Sequence, residues 1–104
     1  MTAAPRTDDL VDAAHLSVTV HGRVQGVYFR RFVRNAANKL SLKGYVRNLA
    51  GGSAVEVQAE GEEPQLNELL EQLKAGPLGA RVKEVEAAWS AYSGQFTDFS
   101  IRYR

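Results

Sequence analysis

Apolar and polar residues alternate or repeat along this chain in a way that sets out most of its elements. Leu16, Val18 and Val20 alternate with Ser17 and Thr19, the mark of a half-buried strand. Phe29, Phe32, Val33, Ala36 and Leu40 then recur three and four apart, with Arg30, Arg31, Arg34, Asn35 and Asn38 on the other faces. That spacing predicts a helix from about Phe29 to Leu40. The run LKGYVRN predicts a second strand, closed by the glycine-containing turn LAGGS. AVEVQAE alternates again, with Val55, Val57 and Ala59 inward, so the two strands form a hairpin. Leu66, Leu69, Leu70 and Leu73 predict a second helix, with Pro64 in its first turn and Gly76-Pro77 as its stop. ARVKEVEAAWS reads as a strand with Val85, Ala87 and Trp89 inward; Val82 is out of phase, which points to a bulge or to an earlier start. In the final FSIRYR, Phe99, Ile101 and Tyr103 alternate with Ser100, Arg102 and Arg104.

The order is β-α-β-β-α-β plus a C-terminal strand. Two helices and one sheet bury their apolar faces only as two layers, with both helices on one face. The predicted fold is therefore α+β: a ferredoxin-like, split β-α-β sandwich on a mainly antiparallel sheet. Residues 15–104 are expected to form one domain and residues 1–14 a flexible extension. A chain of 104 residues suits a single core.

Charge and composition narrow the function classes. Thirteen basic and twelve acidic residues leave a net charge of +1, which argues against a general nucleic-acid or membrane-surface binder. There is no cysteine, so disulfides, thiolate catalysis and cysteine-based metal sites are excluded. The first residues carry Asp8, Asp9 and Asp12 without a continuous apolar run, and no run approaches the roughly 18–20 residues of a membrane span. A soluble, cytoplasmic, monomeric protein is expected.

The connection GRVQGVYFR between the first strand and the first helix carries the candidate chemistry. A helix start exposes unpaired N–H groups and partial positive charge. Glycines let the loop curl so that successive amides face one point. The amides of Gln25, Gly26, Val27, Tyr28, Phe29 and Arg30 could cradle a phosphate, with the Arg30 guanidinium matching its oxygens two at a time. A cation in the first helical turn opposes the helix dipole by about 0.3–1 kcal/mol, and a bound anion reverses that sign. On this pattern alone the glycines could equally be turn formers and the arginines solvated.

At these residues the sequence resembles the acylphosphatase family. VHGRVQGVYFR, from Val20 to Arg30, matches that family's first signature, and GYVRN, from Gly44 to Asn48, matches the second. VEVQAEG and the terminal FSIRY extend the likeness over about Leu16 to Arg104. The resemblance implies a ferredoxin-like fold and metal-free hydrolysis of the carboxyl–phosphate bond of acyl phosphates, with no cofactor. It implies that Arg30 is the phosphate-binding catalytic residue and that Asn48 orients the attacking water. The turn LAGGSA looks one residue longer than the family's, with the valine at position 55 instead of 54, which brings the hairpin register into question.

So sparse a site suits this one substrate class. The leaving carboxylate has a conjugate acid of pKa near 4 and needs no proton to depart. A loose phosphoryl-transfer transition state needs little activation of the nucleophile. Positioning and charge stabilisation remain, and Arg30, the loop amides and Asn48 are expected to supply them. Inorganic phosphate, the product, is expected to inhibit.

Other readings of these residues are less well supported by the sequence. A non-enzymatic binding module of the same fold, for RNA or protein, is one alternative; AVEVQAE has neither an aromatic nor a basic residue, which argues against RNA. A carbamoyl-phosphate-hydrolysing accessory domain is the nearest chemical alternative. His21 has no triad partner, and His15 carries no expectation of a role. Arg47 is expected to face away from Asn48, and Arg102 and Arg104 to lie on a solvated strand face. The acids Glu56, Glu60, Glu62 and Glu63 have no histidine beside them in the sequence, which weakens any metal site there.

Overall fold

The computed structural model describes residues 12–26 and 28–103. Val27 and Arg104 lie outside the described residues, as do residues 1–11 of the expected extension. The elements are β1 (Ala13–Arg23), α1 (Phe29–Lys39), β2 (Lys43–Asn48), β3 (Ala54–Glu62), α2 (Glu63–Ala75), β4 (Arg81–Ala91) and β5 (Phe99–Arg102). The sheet order is β4-β1-β3-β2-β5, with β5 parallel to β2 and every other pair antiparallel. β1 and β2 are thus separated by β3, as the split β-α-β arrangement requires. β1 begins at Ala13, inside the expected extension, because Ala13 and Ala14 pair with Glu62 and Gly61 of β3.

Both helices lie on the same face. Leu16, Val18 and Val20 of β1 and Val55, Val57 and Ala59 of β3 point at them, joined by Val46. Phe29, Val33, Ala36 and Ala37 of α1 and Leu66, Leu69 and Leu73 of α2 close the core from above. Gly44 is needed where β2 meets β3: its φ is 145°, and a Cβ there would collide with the Gln58 carbonyl.

The bulge anticipated from Val82 is present. The β1–β4 register runs His21↔Glu84 and then Gly22↔Val82, so Lys83 is the extra residue. β4 also departs from expectation. Val85, Ala87 and Trp89 stand opposite Val20, Val18 and Leu16, in phase with the core face. Only Val82 and Val85 reach the core, while Ala87 is exposed and Trp89 is 43% exposed. β4 is an edge strand, and its C-terminal half stays largely exposed.

On the opposite face, Glu60 is 3% exposed and accepts hydrogen bonds from Ser93 N (3.0 Å), Ser93 Oγ (2.7 Å) and Gly94 N (2.9 Å). His15 Nδ1 lies 2.6 Å from its Oε2, and His15 Nε2 lies 2.6 Å from Gln58 Oε1. Burial pushes the Glu60 carboxyl up, but these hydrogen bonds outweigh it and hold the group below its ordinary value. The cluster ties the β4–β5 connection to the sheet. A histidine does accompany an acid here, contrary to the sequence reading, because the β1–β3 register sets His15 opposite Glu60. Among the described residues no three acid or histidine side chains group as metal ligands.

Candidate active site

The end of β1, the start of α1 and the end of β2 meet at one corner of the sheet. The loop between β1 and α1 turns through Gly26, at φ 75°, and Tyr28, at φ 59°. A left-handed Tyr28 lets the chain swing straight into α1, whose first hydrogen bond is Phe32 N to Tyr28 O at 3.0 Å. Phe29 plunges into the core at 1% exposure and anchors the helix start. Among the described residues no side chain caps α1, and its first turn has no acid but contains Arg30 and Arg31. Free amides, the positive end of the helix dipole and a guanidinium therefore converge, which favours a bound anion.

Asn48 is the last residue of β2. It shares the helix-side parity of Gly44 and Val46, so its side chain points to the start of α1. Its Oδ1 is buried and accepts no hydrogen bond among the described residues. Such an atom costs on the order of 1–3 kcal/mol unless a donor such as water reaches it. Arg47 points the other way, as expected, and pairs with Glu56, which raises its pKa through their hydrogen bond.

Gln25 joins the two halves of this corner. Its Nε2 donates to Leu49 O at 2.9 Å and to Ala54 O at 2.8 Å, the two residues flanking the β2–β3 turn. Leu49 N also donates to Ala54 O at 3.0 Å. The pairing of β2 with β3 runs unbroken from Lys43↔Glu60 to Asn48↔Val55, so the longer turn is absorbed at its tip without a register slip. The Gln25 side chain is thus a brace between loops, and only its backbone amide remains for an anion.

A cleft of about 380 Å3 is lined by Gly26, Tyr28, Phe29, Arg30, Arg31 and Asn48, together with Val24, Ile101 and Tyr103. Of the residues expected from sequence, the cleft gathers Arg30, Asn48, Gly26, Tyr28 and Phe29; Gln25 stands behind it, and Val27 is outside the described residues. Tyr103 was missed. Its ring lies 4.7 Å from the Arg30 guanidinium carbon, a cation–π contact at the mouth of the cleft. The alternation of FSIRY had put Tyr103 on the core side, but only the pairing of β5 beside β2 brings it to Arg30. Arg102 lies on the other face, 3.9 Å over the Tyr45 ring. A larger cavity of about 580 Å3 opens at the far end of the sheet, between Leu40, Lys43, Gln65 and Phe96. It holds no arginine, and the start of α2 that borders it carries the acids Glu62 and Glu63, which disfavour an anion there.

The acylphosphatase family model matches residues 16–101, which spans this whole corner and both strands flanking it. The chain belongs to the acylphosphatase family. An acylphosphatase from Dehalococcoides mccartyi is 50% identical over 88 residues, covering 85% of this chain and 97% of that one. The structure of an acylphosphatase from Coxiella burnetii superposes with a TM-score of 0.85 at 38% identity, covering 92% of this chain and 99% of that one. HypF from T. kodakarensis is similar over 88% of this chain but only 12% of its own length, with a TM-score of 0.74 and 32% identity. The ferredoxin-like α+β fold read from the hydrophobic pattern agrees with these acylphosphatase structures.

Proposed function

We propose that this acylphosphatase hydrolyses the carboxyl–phosphate bond of acyl phosphates by direct attack of a water held by Asn48 on a phosphate held by Arg30 and the loop amides. The observation that carries this reading is the meeting of three residues' features in one cleft: the uncapped start of α1, Arg30, and Asn48, whose Oδ1 has no partner among the described residues. The guanidinium and amides gather the equatorial oxygens of the phosphate and offset their charge as it redistributes. Asn48 Oδ1 accepts a hydrogen bond from the attacking water, and its amide N–H can donate to the phosphate. The water oxygen bonds to phosphorus, the P–O bond to the acyl group breaks, and the electron pair leaves on the carboxylate. The proton lost by the water passes to solvent or to the product phosphate. The leaving carboxylate needs no general acid, which accounts for a site without an acid–base pair.

The same chemistry calls for no metal or cofactor. A chain without cysteine suits the reducing cytoplasm, where we place it. A domain acting on carbamoyl phosphate within a larger protein is less favoured, because the relatives at high identity are nearly the same length as the matched region. The test is hydrolysis of benzoyl phosphate in the presence of a chelator. Wild type is expected to be active, Arg30→Ala to lose phosphate inhibition together with rate, and Asn48→Ala to lose rate while phosphate still inhibits. A folded wild type with no rate above background would overturn the reading.

A further inference from the structure

The first turn of α1 puts two guanidinium groups into one cleft, and the phosphoryl group as placed above uses only one of them. Arg30 and Arg31 both line the cleft of about 380 Å3 beside Asn48. They differ in depth: Arg30 is half-buried, whereas Arg31 is exposed at the mouth. Neighbours on a helix point about 100° apart, so Arg31 meets a different part of a bound substrate than Arg30 does. Among the described residues no carboxylate lies within ion-pair distance of Arg31, and no acid lines the cleft. The Arg31 guanidinium carbon lies instead 5.4 Å from the centre of the Tyr28 ring, within range of a cation–π contact. Tyr28 is held in the left-handed region at φ 59° directly before α1, and its ring stays exposed. The ring therefore keeps Arg31 at the mouth without neutralising it.

α1 as a whole repeats this bias. It carries Arg30, Arg31, Arg34 and Lys39 and no acid, in a chain whose net charge is only +1. With the phosphate held by Arg30 and the loop amides, the acyl group extends toward the mouth, past Tyr28 and Arg31. A neutral acyl group leaves the Arg31 charge without a partner. One that ends in a carboxylate meets a planar fork that matches its two oxygens. That carboxylate keeps its charge and its place while the P–O bond breaks, so its contact with Arg31 is the same in the ground state and the transition state. Uniform binding of this kind lowers KM and leaves kcat unchanged.

We propose that Arg31 is a specificity residue: it binds a carboxylate at the far end of the acyl group, so that the enzyme prefers acyl phosphates formed on one carboxyl group of a dicarboxylic acid. This role rests on the reaction proposed at Arg30 and Asn48 and names the half of the substrate that the reaction leaves open.

The test compares 3- and 4-carboxybenzoyl phosphate with 4-methylbenzoyl phosphate, which has nearly the same size and no second charge. The two carboxy isomers set the charge at different reaches from phosphorus, and the rigid ring keeps the carboxylate from attacking its own acyl group. In wild type, kcat/KM for the better carboxy isomer is expected to exceed that for the methyl compound by at least about fivefold, the equivalent of about 1 kcal/mol, carried by KM. Arg31→Gln should bring the two substrates within about twofold of each other, again through KM. The variant should fold at least as stably as wild type, since a cation in the first helical turn opposes the dipole. Lys39→Gln removes the same charge from an exposed position at the far end of α1 and should keep the preference. No preference in wild type for either carboxy isomer would overturn the proposal. So would a preference that survives Arg31→Gln, one lost equally in Lys39→Gln, or a loss of kcat that falls on both kinds of substrate alike. In each of those cases hydrolysis of the methyl compound that depends on Arg30 and Asn48 leaves the proposed reaction standing. No hydrolysis of any of the three compounds would overturn the reaction and the role of Arg31 together.

Discussion

Replacing Gln25 with alanine should weaken both the fold and the reaction, by amounts the geometry allows to be worked out. The side chain makes two hydrogen bonds, to Leu49 O and Ala54 O, each worth about 1 kcal/mol net. Ala54 O keeps a donor, the Leu49 N–H, whereas the Leu49 carbonyl has no other donor among the described hydrogen bonds. The expected loss is about 2 kcal/mol, a shift of roughly 10 °C in Tm for a domain of this size. The assay is urea unfolding at neutral pH, with the midpoint converted through an unchanged m-value. The catalytic consequence follows from what the brace connects: the loop carrying the amide cradle and the turn that follows Asn48. A misplacement of about 1 Å between two such groups costs on the order of 100-fold in rate. Gln25→Glu fills the same volume but cannot donate to a carbonyl while ionised, so it should be no better than alanine. A stability loss below about 0.5 kcal/mol with full activity would refute the brace altogether. The expected stability loss with an unchanged kcat/KM would refute its role in positioning Asn48 against the cradle.

Three further outcomes follow from the same structure. Glu60→Gln should cost about 2–4 kcal/mol at neutral pH, because one of the two buried carboxylate oxygens becomes an NH2 donor facing the donors that surround it, and the charge-assisted bonds are lost. The Glu60 carboxyl lies below its ordinary value, so its contribution is full above about pH 4.3 and fades as pH falls through the lower folded value; unfolding of wild type and variant should converge in acid. Tyr103→Leu removes an aromatic face from a partly exposed guanidinium, worth about 0.5–1 kcal/mol; phosphate inhibition should weaken by about two- to five-fold, read from initial rates. Gly44→Ala drives a Cβ into the Gln58 carbonyl within the β2–β3 pair, and should destabilise by more than about 3 kcal/mol or prevent folding, measured by denaturation or yield.

Arg30 illustrates why the free protein accepts a locally unfavourable arrangement. A cation in the first turn of a helix opposes the dipole, and α1 has no acid there to offset Arg30 and Arg31. Tyr103 offsets part of that repulsion by presenting its ring to the guanidinium. Arg31 finds a similar partner in Tyr28, whose ring lies 5.4 Å from its guanidinium carbon. Both tyrosines are largely exposed, at 76% and 77%, so the arginines stay open to an incoming anion.

Periods in the chain determined the elements, their order and the two-layer class, because a residue's parity on a strand or phase on a helix is a local property. The loop VHGRVQGVYFR and the GYVRN strand carried the proposed site for the same reason: glycines, an arginine and a helix start are neighbours in sequence, and Asn48 inherits its direction from the alternation of its own strand. What needed the tertiary structure was every contact set by strand order. Parity placed Trp89 and Ala87 on the apolar face, but only their position at the sheet edge left them exposed. Nothing local relates His15 to Glu60; their meeting depends on the β1–β3 register. Tyr103 reaches Arg30 only because β5 returns parallel to β2, and Gln25 becomes a brace only because the β2–β3 turn folds over its loop. Local periodicity records which way a side chain points, whereas its neighbours are chosen by pairings between segments far apart in the chain.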